Sequence, residues 1–491
     1  MPGVADGLSA LKSALGLASV PPASPVVLTI RLLFRAAGPV VAFELSAGQG
    51  ALPAPDGDEW ELSYDSLYRG ADTGWTIPSS IADGVRLRLA APSLPPVLWL
   101  NLARPYGWLG TAPWESALVP VLGCAVLRLP DFVDCPARRA DVLETALVVD
   151  ADPNALPGDL FARARLLVDA VLHASTRPVT RVHVFASAAC HGVLQPLADV
   201  PRVLVHDPSG AKTSAEAGAQ ATGSSAQLLR SAAWADWVAT VLTGRGLDAL
   251  HLLIRGSCHD AGADLVLSCS PSPREQPHSG VVDAAELRLL LDRAGAWAIS
   301  LAPVLAEHAA AVAFVADAFA HERPAAVFFH RLDGGAVAAE VSAAFATLFA
   351  TRQAPPPLLT AGFLHVHPDL VAGPPRTGGA DTFDVLAQHA VLLAQRAPVA
   401  ERLLNLVTRA LPLVATREPS TPPGWIGATQ RFLESEVFDD VRRKSTDVLM
   451  SKLSGRAKID PEALRELNVR TNDVLIEIQS VVSTYLKQRK D

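Results

Sequence analysis

From Thr145 onward the chain alternates short, continuously apolar runs with longer stretches of helical period, and that rhythm limits its fold more than any other feature. TALVVDADP, VTRVHVFAS, PRVLVHDP, LDALHLLIRGS, AWAISLAP and AAVFFHRLD read as strands. Between them fall the helical LFARARLLVDAVLHAS, LLRSAAWADWVATVL, VDAAELRLLLDRAG, an Ala-rich segment ending at Ala320, and AVAAEVSAAFATLFA. A strand apolar on both sides must be covered on both faces, and strands joined through helices run parallel. The expectation is an α/β fold, a doubly wound, mostly parallel sheet with helices on both faces. ADLVLSCS and the residues after it read as a two-stranded excursion between LDALHLLIRGS and the next helix.

The residues before this core differ. Val26–Ser46 gives two β-branched runs separated by Ala-Gly-Pro, the pattern of a hairpin. GVRLRLAA alternates and VLWLNLA is apolar throughout, so both are expected as strands, and residues 1–96 are expected as a β-rich N-terminal region. Pro113-Trp114-Glu115 then opens a helix leading to the strand CAVLRLP. Ser209–Ser225, rich in Ala, Gly and Ser, reads as a mobile loop, and TREPSTPPGW as a linker. Residues 424–491 read as a helical extension. Asp460-Pro461-Glu462 combines an N-cap, a first-turn proline and a first-turn acid. Val474, Leu475, Ile478, Val481, Val482 and Tyr485 then fall on one helical stripe. That stripe either docks on its own α/β domain or holds a protein partner.

Composition narrows the function classes. The 491 residues carry a formal charge of −8 and no long basic stripe, which argues against nucleic acid as the main partner. Cys124, Cys135, Cys190, Cys258 and Cys269 are odd in number and lack CxxC spacing, so neither a disulfide framework nor a structural zinc is expected, and a reducing cytoplasm fits. Apolar runs are interrupted by Arg, Asp, Pro or Gly short of spanning length, and no leader pattern opens the chain, so no membrane association is expected.

The order strand LHLLIRG, two-stranded excursion, helix, strand WAISLAP, helix, strand AVFFHRL, with the upstream Pro-Trp-Glu, resembles the CHAT domains of the caspase-like clan across residues 97–350. The domain is accordingly expected over 97–415. In that family an HFxCHG-like strand ends in the general-base histidine, and an LxAC-like strand ends in the nucleophilic cysteine. Laid on this chain, the base position falls on Arg255 and the thiol position on Pro303. A guanidinium stays protonated and cannot take a thiol proton; proline carries no nucleophile. The resemblance therefore implies a catalytically degenerate caspase-fold protein acting as a scaffold, sensor or regulatory subunit in a bacterial defence setting. The alternative is an active, divergent cysteine endopeptidase.

Fallback residues are few. Cys258 and His259 are adjacent, and neighbours on an extended chain point to opposite faces, so they do not form a dyad with each other. His259 is left as a base for another nucleophile, and Ser300 is reached by a slipped alignment. His251 reads as a buried histidine satisfied by a backbone carbonyl. His365-x-His367 with Asp369 lacks a third ligand of obvious spacing, and SGAKTS (Ser209–Ser214) lacks the glycine spacing of a phosphate loop, so neither a metal nor a cofactor is expected.

Overall fold

The protein is described from a computed structural model that covers residues 26–371, apart from 36–37, 48–49, 52–58, 63–74, 90–94, 104–105, 131–140, 152–156, 220–231, 244, 260–261, 276–277, 322–324, 334–336 and 351–352. The C-terminal stripe from Val474 to Tyr485 and the extension 424–491 lie outside the described residues. The strands are β1 (Val26–Arg35), β2 (Gly38–Ala47), β3 (Gly50–Ala51), β4 (Glu59–Glu61), β5 (Val97–Ala103), β6 (Ala125–Arg128), β7 (Val142–Asp150), β8 (Val179–Ala186), β9 (Val203–His206), β10 (Ala249–His259), β11 (Gly262–Ser268), β12 (Ser279–Val282), β13 (Ala298–Pro303), β14 (Ala326–His330) and β15 (Gly362–His365). The helices are α1 (Ser79–Leu89), α2 (Trp114–Leu122), α3 (Pro157–Ala174), α4 (Ala188–Leu194), α5 (Ser214–Ala219), α6 (Ala232–Leu242), α7 (Ala284–Ala294), α8 (Ala309–Phe319) and α9 (Val337–Phe349).

All the strands join one 15-stranded sheet, whose main path runs β3-β2-β1-β5-β6-β15-β14-β13-β10-β7-β8-β9. β14, β13, β10, β7, β8 and β9 form one parallel block. β1, β5, β6 and β15 form a second parallel block, and the two blocks run in opposite directions because β14 and β15 pair antiparallel. The expected mixed α/β, mostly parallel sheet is therefore present. Alternate residues of β7 show why its apolar run is unbroken: Leu147 and Val149 pack under α3 and α9, while Ala146 and Val148 pack under α6 and α7. Both faces are covered, as an inner parallel strand requires. Local signals set the helix ends; Asp283 caps α7 by accepting the Glu286 N–H at 2.8 Å, and Gly295 ends it with φ 67°.

Two expectations are corrected. Gly84–Leu89 of this stretch is not a strand but the end of α1, in which Ile81, Ala82, Val85 and Leu89 are the buried residues. Their spacing is helical; the alternation had leaned on Leu87, which is 72% exposed. Ser209–Ala219 is not a loose loop but a short 3-10 turn, Pro208–Gly210, followed by α5. The N-terminal strands also extend the core sheet, since β1 pairs directly with β5 across residue 96.

Within the second block β15 joins β6 through a single residue pair, Arg128 with His365. The same two residues anchor a buried charge network that reinforces this joint. Arg128 Nε and Nη2 donate to the Glu115 carboxylate at 2.7 and 3.1 Å, and Nη1 donates to Gly110 O at 2.6 Å and to Asp317 Oδ1 at 2.9 Å. Tyr106 donates to Asp317 Oδ2 at 2.7 Å and also hydrogen-bonds to His321; His365 Nε2 lies 3.2 Å from Asp317 Oδ1. A Cβ on Gly110 would strike the Asp317 carboxylate, so only glycine lets the chain pass there. Burial works to raise the Asp317 carboxyl, yet the His365 hydrogen bond and the Arg128 charge hold it well below the usual range.

Candidate functional site

The strand ends named by the sequence are neighbours. β10 and β13 pair in parallel with Ile254 opposite Pro303, so Arg255 lies one residue beyond the pair. Pro303 is buried, and Gly256 is roofed by α8: an added Cβ would stand 2.6 Å from Ala311 Cβ and 3.2 Å from His308 O. Gly256, Ser300 and Pro303 are therefore closed over by packing. Cys258 and His259 continue β10 into its hairpin with β11, where they pair with Ala263 and Gly262 respectively. His259 Nε2 lies 3.0 Å from Asp264 Oδ2 on the half-exposed hairpin.

Ser300 has a partner that sequence reasoning missed. Its Oγ lies 2.9 Å from His330 Nε2, a serine–histidine pair formed because β13 and β14 are adjacent. The pair sits in the core, with Ser300 1% and His330 2% exposed, beside Phe328 and Phe345. Burial pushes His330 down to about 3, and its Nδ1 has no hydrogen-bond partner among the described residues. His251, on the same face of β10, is buried as expected but is not satisfied by a carbonyl. Neither ring nitrogen has a hydrogen-bond partner among the described residues, and burial pushes it down to about 3. It packs edge-on against Phe345 and Phe349 instead. These three polar residues belong to a packed interior, out of reach of a peptide.

The polar centre at the carboxyl ends lies on the other side of β10. After β7 the chain builds β8 and β9 on one side, then returns to lay β10 on the other, so β7 and β10 flank the point where the strand order reverses. Ligands of open α/β sheets bind outside such a point. Asp150 closes β7, opposite Ile254 and next to Arg255. Its Oδ2 accepts the Ser268 N–H at 2.6 Å, and the hydroxyls of Ser187 and Ser268 and the charge of Arg255 also favour its ionised form. Burial outweighs them and pushes the Asp150 carboxyl up. Ser187 and Ser268 are 5% and 6% exposed, and neither Oγ completes a hydrogen bond of normal geometry among the described residues. Arg255 reaches outward, donating from Nη2 to Ser279 Oγ at 3.0 Å. Cys190, at the same strand ends, accepts the Ala151 N–H at 3.3 Å, and burial pushes its thiol up, which makes it a packing residue.

Sequence reasoning reached Arg255 and missed Asp150, Ser187 and Ser268. The available signal was LVVDADP, an apolar strand that closes on a carboxylate.

Two other polar groupings need placing. Glu144, His183 and His206 form a chain across β7, β8 and β9, with His183 Nε2 2.9 Å from Glu144 Oε2 and His183 Nδ1 3.0 Å from His206 Nε2. Arg181 donates to Glu144 at 2.6 Å and Arg245 at 3.3 Å. In SGAKTS the backbone donors are taken by the protein's own carboxylates: Thr213 N–H by Glu216 and Ser214 N–H by Glu275, each at 2.7 Å. Among the described residues no three His, Cys, Asp or Glu side chains gather as a metal-holding group, and no helix is long and apolar enough to cross a membrane.

No protein-family model, no curated protein and no solved structure matches this chain.

Proposed function

We propose that this chain is a CHAT-type caspase-fold protein that has lost its cysteine–histidine dyad and works as a scaffold or regulatory subunit. One observation carries the reading: at the paired ends of β10 and β13, where an imidazole and a thiol would have to meet, stand Arg255 and Pro303. Neither can transfer a proton or attack a carbonyl. Supporting it, the order expected from the resemblance corresponds to β10, the β11–β12 excursion, α7, β13, α8 and β14. The Ser300–His330 pair supplies no substitute, because a serine sealed in the core meets no substrate. On this reading the partner is a protein held by the stripe Val474, Leu475, Ile478, Val481, Val482 and Tyr485.

Incubation of the full chain with a peptide library and with a thiol-directed electrophile tests the reading. The expected outcome is no cleavage, with alkylation of the exposed Cys258 unaffected by His259→Ala. Cleavage that disappears in Cys258→Ala, His259→Ala or Ser300→Ala overturns it and restores the peptidase.

A further inference from the structure

Buried polar groups in folded proteins nearly always have partners, and each exception needs a cause. At the reversal point two such groups, the Ser187 and Ser268 hydroxyls, stand beside a buried carboxyl. Asp150 is 3% exposed and has one backbone donor, while the Ser187 and Ser268 hydroxyls beside it complete no hydrogen bond of normal geometry among the described residues. A hydroxyl that gives its proton to the carboxylate still keeps lone pairs without a donor. The inner end of the cluster is therefore rich in acceptors, and an ammonium set against Asp150 would hold the carboxyl ionised against the upward push of burial. Its outer end is Arg255, a cation that extends to Ser279 on β12.

We propose that Asp150, Ser187, Ser268 and Arg255 form a binding site for a small amino-carboxylate zwitterion of the size of a free amino acid. The ammonium group lies against Asp150 and the two serine hydroxyls, and the carboxylate lies toward Arg255. Charge selects this class. With Asp150 ionised by an ammonium beside it the site is neutral, whereas a bare amine meets the repulsion of Arg255 and a bare carboxylate brings no donors to the serine hydroxyls and Asp150. A ligand with both charges, in the opposite order, meets neither. An ammonium brings three donors to a place that lacks donors, and a guanidinium suits a planar carboxylate. The inference rests on Asp150 and the two serines, and peptide cleavage decides the pseudo-enzyme reading without touching it.

Thermal unfolding and calorimetric titration of the full chain test the site, with the common free amino acids as probes and methylamine and acetate as half-ligands. At least one amino acid is expected to raise the midpoint, with each half-ligand about tenfold weaker or worse. Asp150→Asn and Ser187→Ala are each expected to weaken that amino acid about tenfold or more. Arg255→Gln is expected to remove the advantage of the amino acid over methylamine. Should Asp150→Asn fail to fold, Ser268→Ala replaces it. The proposal is overturned if no amino acid binds, which would leave ordered water as the occupant. It is equally overturned if binding survives the serine and aspartate changes, or if methylamine binds as well as the amino acid.

Discussion

Asp317, on α8, and Asp150, at the end of β7, are both buried carboxyl groups, and their surroundings have opposite consequences. Asp317 accepts from Arg128 and Tyr106 and meets His365 Nε2, and its carboxyl is held well below the ordinary range. Asp150 has one backbone donor and two hydroxyls without good geometry, and burial pushes it up. A buried charge with its full set of partners holds a structure together, whereas one left short of partners costs stability unless something else supplies them. The first stands at the one-pair joint between β6 and β15, the second at the reversal point of the strand order. The chain has thus surrounded one carboxylate with donors of its own and left the other short of them.

The strongest way to break this contrast is to remove the cation at the joint. Arg128→Met leaves Glu115 and Asp317 buried without their counter-charge, and the expected loss is about 3 to 5 kcal/mol in a denaturant titration. A loss under about 1 kcal/mol would mean that the one-pair joint between β6 and β15 does not depend on the network.

Asp317→Asn is expected to cost about 2 to 3 kcal/mol at neutral pH, since charge-assisted hydrogen bonds are at stake. The sign with pH follows from the depressed folded-state pKa. The stabilisation is present above the unfolded carboxylate value of about 3.9 and is lost as pH falls through that value toward the folded one. Unfolding curves of the two proteins measured from pH 7 to pH 3 should therefore draw closer without meeting, because Asp317 stays ionised in the folded chain at pH 3. A gap that does not narrow toward the acid end would show that the amide disturbs packing rather than charge.

A third arrangement lies between these two. His251 and His330 are buried neutral, each pushed down to about 3, while an unfolded histidine titrates near 6.5. As pH falls below about 6.5 the unfolded chain binds protons that the folded one refuses, and stability drops by about 1.4 kcal/mol per pH unit for each histidine. His251→Leu should take one such share out of the slope between pH 6.5 and pH 5, with Ser300 and His330 left in place. An unchanged slope would mean that His251 finds a partner in solution.

Much of this architecture was legible because continuous apolar runs bounded by turn residues have few other uses, and β7, β8, β10, β13 and β14 all fall on runs read as strands. The helix α1 was not, since Val85, Leu87 and Leu89 imitate a strand and only Ile81 and Ala82 upstream set the helical period. Arg255 and Pro303 were set at two strand ends by the spacing that the resemblance supplies, and those two strands, β10 and β13, are neighbours in the sheet. The partners that define the clusters were hidden for a different reason. Asp150 meets Ser268 across 118 residues and Arg128 meets Asp317 across 189, and such pairings depend on the order of strands in the sheet. Local period carries no information about that order.

Asp150→Asn gives the smallest effect and the most discriminating one, because its expected sign is opposite to that of Asp317→Asn. The amide oxygen still accepts the Ser268 N–H, and what disappears is a charge whose burial is unfavourable. With the folded-state pKa raised above the unfolded value, ionisation favours the unfolded chain once the pH exceeds about 3.9. The substitution should therefore stabilise the empty protein by up to about 1 kcal/mol at pH 7, and the gain should vanish below about pH 4, where both states hold the proton. Denaturant midpoints at pH 7 and pH 4 measure it. A loss at pH 7 as large as that of Asp317→Asn would make Asp150 a second clamp, and the distinction between a carboxylate surrounded by donors and one left short of them would fail at its weaker end.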